Sequence, residues 1–360
     1  MDRNEFRHEL KFVNGRSGDP AVNLFFPATG SSLLFDLGKI DQLSNRELLR
    51  IRHVFVSHTH IDHFIGFDRL LRVNIPHRRP VSIYGPEGFI DNVSARIRGF
   101  TWNLLEPGQL QFHVREILAG GRARQALLSN DNGFLPEPEE VKDCRGCDGL
   151  HVIDGLPDGS RMMAVPLDHG TPSVAYRLQG VERWRVNAAA VESSGYTPGS
   201  WIRDLQAAAN SRRAGEKINP GDGPVPAEDL AKRFLESRPP FSIGYVTDVA
   251  FSDRNLQALR VLLKDSVGLV CEAAFRDEHR DRAVGKLHLT TRQAALIAAL
   301  CGVDRLHVFH FSAIYGEDQD SSLQEAEAFF TRFRGLPAGE LAGEVEAELQ
   351  RCAALSKEKG

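Results

Sequence analysis

The sequence predicts a mixed α/β protein in which two β-sheets stack face to face with helices outside. Three observations carry that prediction. Short apolar runs rich in Val, Ile, Leu and Phe, suited to buried strands, alternate with longer segments of helical period. The order of these segments is β-hairpins first and βα units after, and it occurs twice along the chain. Hydrophobic residues make up 42% of the 360 positions, enough to bury a large core without disulfides or a structural metal. Periodicity alone is equally compatible with other mixed α/β layouts.

In the first half, strands are predicted over 10–13, 22–26, 33–37, 54–57, 81–84 and 111–115, with helices over 64–72 and 87–97 between the later ones. In the second half, strands over 162–167 and 174–178 precede strands over 243–247, 268–272 and 306–311, which alternate with helices over 253–264, 291–300 and 323–333. Val345, Leu349 and Cys352 recur at helical spacing and predict a docked amphipathic helix over 340–355. One domain is expected, interrupted by two insertions. The first, over 119–160, is dense in Gly, Pro, Asp and Asn; the second, over 181–240, carries helices over 201–211 and 227–236 around the loop INPGDGPVP. Loops of such length in a compact domain are usually functional arms or lids.

Charge and cysteine usage narrow the class. Lys and Arg number 44 against 48 Asp and Glu, a net charge of −4, which excludes a uniformly basic nucleic-acid coat. The N-terminal MDRNEFRHELKF lacks the apolar core of a secretory signal, and no run approaches the roughly 20 apolar residues of a membrane span. The five cysteines are an odd, scattered set, so a reducing cytoplasm is the expected compartment. Cys144 and Cys147 form a lone CxxC, read as an ordinary loop since a structural zinc site needs further ligands.

The sharpest signal is Ser57-His58-Thr59-His60-Ile61-Asp62-His63, directly after the apolar strand Val54-Phe55-Val56. In extended backbone His58 and His60 point the same way, and Asp62 and His63 fall where strand gives way to helix. Imidazoles and a carboxylate at this spacing suit a divalent ion of borderline softness. A polar turn with coincidental histidines would explain one or two of these residues, not all four. His169, Asp248 and His310 each end a predicted strand, and ligands at adjacent strand ends converge on one sheet edge. Singly each reads as a core or turn residue; together with the first cluster they read as a metal centre.

At this point the chain resembles the metallo-β-lactamase fold hydrolases and, among them, ribonuclease Z. The resemblance rests on SHTHIDHFIGFDRLL (57–71), DHGTPSVAYR (168–177), GYVTD (244–248), CEAAF (271–275), KLHLTTRQA (286–294) and HFSAIY (310–315). It implies an αββα four-layer sandwich with inserted arms and two divalent metal ions, with His58, His60 and His169 on one, Asp62, His63 and His310 on the other, and Asp248 bridging. Zinc is the expected metal, although such donors also accept manganese or iron. The resemblance further implies a homodimer and an arm, here 181–240, that grips tRNA; Gly195-Tyr196-Thr197-Pro198-Gly199-Ser200 is weakly similar to the arm's Gly-Pro motif. Two positions depart from the family pattern: Thr247 stands where Gly usually precedes the bridging Asp, and Ala313 where Arg usually follows HFS.

The expected chemistry is phosphodiester hydrolysis, with the substrate precursor tRNA and the cut removing its 3′ trailer. Asp62 is expected to orient the nucleophile, and His288, held by Glu272, to donate a proton to the leaving oxygen. Thr290-Thr291-Arg292-Gln293 reads as a capping box opening a helix, which places Thr290, with Ser312, as candidate phosphate contacts. Candidate RNA-binding cations are Arg69, Arg72, His77, Arg78 and Arg79, then Arg203, Arg212 and Arg213, then Arg276, Arg280 and Arg282. The alternatives are a same-fold hydrolase of a small phosphodiester such as a cyclic nucleotide, or of a lactone or thioester, and a metal-free binding protein. The intact ligand set opposes the last.

Overall fold

The computed structural model describes residues 9–142, 149–210, 215–238 and 240–357. These residues form two compact units, one made of those up to 178 together with those from 242 onward, the other of those between 179 and 241.

The first unit begins with eight strands in one sheet: β1 Glu9–Phe12, β2 Val22–Phe26, β3 Ser31–Phe35, β4 Ile51–Phe55, β5 Val81–Gly85, β6 Gln111–Ile117, β7 Arg122–Ser129 and β8 Glu139–Lys142. They lie side by side in chain order, antiparallel at both ends and parallel from β3 to β6. Interleaved are α1 Asn45–Leu48, α2 Ile61–Phe64, α3 Phe67–Asn74 and α4 Phe89–Arg98. Then come β9 His151–Ile153, β10 Arg161–Asp168 and β11 Pro172–Gln179.

The second unit holds β12 Arg183–Val186, α5 Ala188–Glu192, α6 Ser200–Asn210, β13 Lys217–Ile218, β14 Val225–Pro226, α7 Ala227–Phe234 and β15 Leu235–Arg238. It has its own core of Val191, Trp201, Leu205, Leu230 and Phe234, with β12 pairing β15 to close its ends. The chain then returns to the first unit through β16 Ser242–Val246, α8 Asp253–Leu263, β17 Gly268–Glu272, α9 Arg280–Lys286, α10 Thr291–Leu300, β18 Arg305–Phe309, α11 Gln319–Arg334 and α12 Ala338–Lys357. The second sheet runs β18-β17-β16-β11-β10-β9.

Inside the first unit the two sheets meet through aromatic rings. Phe35 of β3 stacks on Tyr245 of β16 at 5.0 Å, and Phe55 of β4 meets Tyr176 of β11 at 5.3 Å. The Tyr176 hydroxyl, fully buried, donates to the Val56 carbonyl at 2.7 Å, so that polar atom is satisfied within the seam. On the outer face of the first sheet, Phe67, Leu71, Phe89 and Val93 of α3 and α4 pack on Val54, Ile83 and Phe112. On the outer face of the second, α8, α10, α11 and α12 cover Leu269, Cys271 and Val308. The layering is αββα.

Two predicted elements differ from those observed. The helix over 64–72 is two helices, α2 and α3, broken at Ile65-Gly66. A Cβ on Gly66 would lie 2.1 Å from the Gly38 carbonyl oxygen, so the chain turns there against another backbone, a long-range contact that periodicity does not contain. The stretch over 119–160 builds β7, β8 and β9, which extend the two main sheets; its Gly and Pro residues sit in the turns between them. The stretch over 181–240 is the second unit and contains the two predicted helices as α6 and α7. Cys144 and Cys147 lie outside the described residues, as do Arg212 and Arg213. Among the described residues no helix is long and apolar enough to cross a membrane.

Candidate metal centre

Strands β3, β4, β10, β16 and β18 all end at one edge of the sandwich, and the side chains just beyond their ends make the site. Three of these residues turn sharply out of their strands in left-handed backbone, Asp36 at φ 55°, Asp248 at φ 48° and His310 at φ 60°. Such a conformation is costly for residues other than Gly, and the packed strands behind impose it.

The structure brings the seven expected donors together. Donor atoms of His58, His60, His169 and Asp248 lie within 4.8 Å of one another, and so do those of Asp62, His63 and His310. Asp248 stands between the groups. Its Oδ2 lies 3.5 Å from His58 Nε2 and 3.3 Å from His169 Nε2. Its Oδ1 lies 3.3 Å from His63 Nε2 and 3.2 Å from His310 Nε2. Asp62 Oδ2 is 3.5 Å from His63 Nε2 and 3.9 Å from His310 Nε2.

In His58, His63 and His169 the other ring nitrogen is occupied, which sets the tautomer of each neutral ring. Asp36 Oδ2 accepts from His63 Nδ1 at 2.9 Å and from Ser57 Oγ at 2.9 Å, so Ser57 Oγ accepts in turn from His58 Nδ1 at 3.1 Å. His169 Nδ1 donates to the Leu287 carbonyl at 2.8 Å. The Nε2 atoms of these three rings therefore face inward. Those of His58 and His63 are buried and have no hydrogen-bond partner among the described residues. A buried, unsatisfied acceptor is expensive, and a divalent cation among these donors removes the cost. The donor set fits divalent metal.

For His58 and His60 the electrostatics agree, whereas His63 holds a second proton that a cation would have to displace. Burial pushes His58 down to about 2, aided by neighbouring His63, and burial beside His169 lowers His60, so both imidazoles are neutral and able to donate a lone pair. Burial also opposes charge on His63, but Asp248 and Asp36 outweigh it and hold that ring well above its ordinary value. Burial disfavours the Asp248 carboxylate too, yet His63 and His310 keep it well below the usual range.

Beside the donors, His288 Nδ1 donates to Glu272 Oε2 at 2.8 Å. Glu272 is fully buried and its Oε1 accepts from the Val249 N–H at 2.8 Å, next to Asp248. Burial works against a charge on His288, but Glu272 dominates and raises the imidazole to about 9. Asp62, His288, His310 and Ser312 line one cavity of about 220 Å³, together with Ser17, Asp19 and Lys286.

Thr290 is corrected. It has no exposed surface, and its hydroxyl accepts from the Gln293 N–H at 3.2 Å as a helix cap. The next amide, Thr291 N–H, is spent on the Phe275 carbonyl at 2.8 Å, so neither the Thr290 hydroxyl nor that amide is left for a phosphate. The third cationic cluster is also largely internal: Arg276 pairs with Asp318 at 2.6 Å and Arg280 with Glu348 at 2.8 Å. Sequence reading missed Asp36, Ser57 and Tyr245, whose hydroxyl donates to Asp36 Oδ2 at 2.7 Å. The available signal was an acidic residue closing the apolar run Leu33-Leu34-Phe35.

A sandwich of this layering has solved counterparts. Human tRNase Z, short form, superposes with a TM-score of 0.52 at 19% identity, over 86% of this chain and 94% of that one. The metallo-β-lactamase fold protein YhfI from Bacillus subtilis does so with a TM-score of 0.50 at 13% identity, over 89% and 92%. Fold and site together define a metal-dependent hydrolase of the metallo-β-lactamase fold. No family model matches the sequence. It is, however, 30% identical over 310 residues to ribonuclease Z of Deinococcus radiodurans, an alignment covering 84% of this chain and 89% of the relative. The chain belongs to the ribonuclease Z family.

Proposed function

We propose that this protein is a binuclear-metal endoribonuclease that removes the 3′ trailer of precursor tRNA. The observation that carries the proposal is the position of Asp248, each of whose carboxylate oxygens faces a different pair of imidazoles. A carboxylate so placed suits two ions sharing one bridge, with His58, His60 and His169 holding one and Asp62, His63 and His310 the other. Zinc matches the imidazole-rich donor set best. Bound there, two divalent ions would supply an ionised water and neutralise charge on the phosphoryl oxygens.

The chain's own residues do the rest. Asp62, partly exposed at the cavity wall, orients the attacking oxygen, and Ser312 and Lys286 offer a hydroxyl and a cation to the phosphate. As the phosphorus–oxygen bond breaks, His288 gives its proton to the leaving ribose oxygen. Its hydrogen bond to Glu272 favours the protonated ring that this step needs. The products are a tRNA with a 3′-hydroxyl and a trailer with a 5′-phosphate. The unit 179–241, with Arg203 and Arg233 exposed around its aromatic core, is the proposed RNA-gripping arm. The reading includes a homodimer working in the cytoplasm.

The test is incubation of a precursor tRNA bearing a 3′ trailer with zinc or manganese, with product ends mapped and His60→Ala as control. Metal-dependent cleavage beside the discriminator base, absent in the control, supports the proposal. Hydrolysis of bis(p-nitrophenyl) phosphate without any cut in the tRNA would move the substrate to a small phosphodiester.

A further inference from the structure

His288 lies in the four-residue link 287–290 between α9 and α10, and both helices are tied to one buried carboxylate on the C-terminal helix. Glu348, in the middle of α12, has no exposed surface. Its Oε1 accepts from Arg280 Nε at the start of α9 at 2.8 Å and from Gln293 Nε2 in the first turn of α10 at 2.9 Å. Its Oε2 meets Arg292 Nε at 3.3 Å and an Arg351 terminal nitrogen at 3.1 Å.

These contacts reach the link from both sides. The other end of the Gln293 amide, Oε1, accepts from the Thr290 N–H at 3.0 Å, so a single side chain joins Glu348 to the backbone two residues past His288. On the near side Arg280 opens α9, and the Ala283 carbonyl of that helix accepts the His288 N–H at 2.9 Å. Between them Leu287 is held in left-handed backbone at φ 59°, a strained state for a residue with a side chain. That same shape delivers His288 Nδ1 to Glu272 on β17 and the Leu287 carbonyl to His169 Nδ1.

A buried carboxylate among three arginines is a poor device for stability alone, since well-packed apolar groups serve as well or better. It is a good device for fixing distance, because each bond is directional. We propose that Glu348 is a positioning residue for His288, setting the proton donor's place by clamping Arg280 and Gln293 to one point on α12. The inference rests on the reading of His288 as general acid.

The test compares two leaving groups. A ribose alkoxide needs a proton as it departs, whereas p-nitrophenolate does not. In the metal-loaded full-length protein, Glu348→Gln should lower cleavage of an RNA phosphodiester about 10–100-fold, the scale of a misplaced catalytic group, while bis(p-nitrophenyl) phosphate hydrolysis changes less than about 2-fold. Bound metal per chain should be unchanged. Arg280→Lys, a gentler change that keeps charge but loses the fork, should give the same split should Glu348→Gln not fold. Adding Glu348→Gln to His288→Ala should cost nothing more on RNA. Parallel loss on both substrates, or undiminished RNA cleavage, would make Glu348 a structural residue and overturn the inference. Absence of the split in His288→Ala would remove the acid reading and this inference together; a split there, with none in Glu348→Gln or Arg280→Lys, would overturn the inference alone.

Discussion

Asp36→Asn changes one buried atom from acceptor to donor, and the structure gives its cost. The backbone should not object, because Asn adopts the left-handed φ of 55° at this position as readily as Asp. The side chain should. Oδ1 can remain an acceptor for the Ser57 N–H at 2.6 Å, but the new NH2 then faces Ser57 Oγ at 2.9 Å, His63 Nδ1 at 2.9 Å and Tyr245 OH at 2.7 Å, all of which donate to the carboxylate. The two hydroxyls can rotate to accept. His63 can accept only by moving its proton to Nε2, the nitrogen that faces Asp248, and that tautomer has no lone pair for a metal. With hydrogen bonds to a charged group contributing about 1.5–3 kcal/mol each, three weakened and two partly recovered, the loss of stability should be about 3–5 kcal/mol. Metal affinity should fall about 10–100-fold, the usual effect of removing the partner that orients a ligating imidazole. Thermal melts with and without metal, and titration against a competing chelator, measure the two terms separately. Wild-type metal affinity with an unshifted melt would refute the tautomer argument.

Further expectations concern the same site and its scaffold. His288→Ala should lose about 100–10,000-fold in RNA cleavage while retaining metal, measured by turnover alongside elemental analysis; equal loss of both would make His288 structural. In metal-free protein the His288 ring should titrate near 9 by NMR, and in Glu272→Gln it should fall below its ordinary value, because burial is then the main remaining influence. Since folding raises this pKa, the His288–Glu272 pair adds stability in full below about 6.5 and loses it as pH rises through about 9; a melt that is flat across that range contradicts the pairing. Asp248→Asn should empty both metal positions together, whereas a loss of one ion alone would contradict the bridge. Gly66→Ala, whose Cβ would sit 2.1 Å from a carbonyl oxygen, should destabilise by roughly 1–3 kcal/mol or more, read by chemical denaturation.

The sequence alone disclosed the parts whose geometry is local. His58, His60, Asp62 and His63 occupy one strand end and one helix start, so spacing along the chain is spacing in space, and the cluster was legible before any fold. Strands with strong apolar runs were equally plain, because a buried strand writes its environment into consecutive residues. The capping box at Thr290 was legible as a cap, but that the cap is sealed from solvent depends on α11 and α12 lying over it. Turn residues in 119–160 looked like an insertion because hairpin turns and loops share the same composition; only pairing with β6 and β10 makes them sheet edges. Asp36, Tyr245 and Glu348 were invisible for a single reason. Each acts on a distant residue, Asp36 on His63 across 27 positions, Tyr245 on Asp36 across 209 and Glu348 on Gln293 across 55, and no local periodicity records such a meeting. Chain-local chemistry named the metal donors, whereas the aim of each donor's lone pair was decided by tertiary packing, since hydrogen bonds from distant elements select the tautomer.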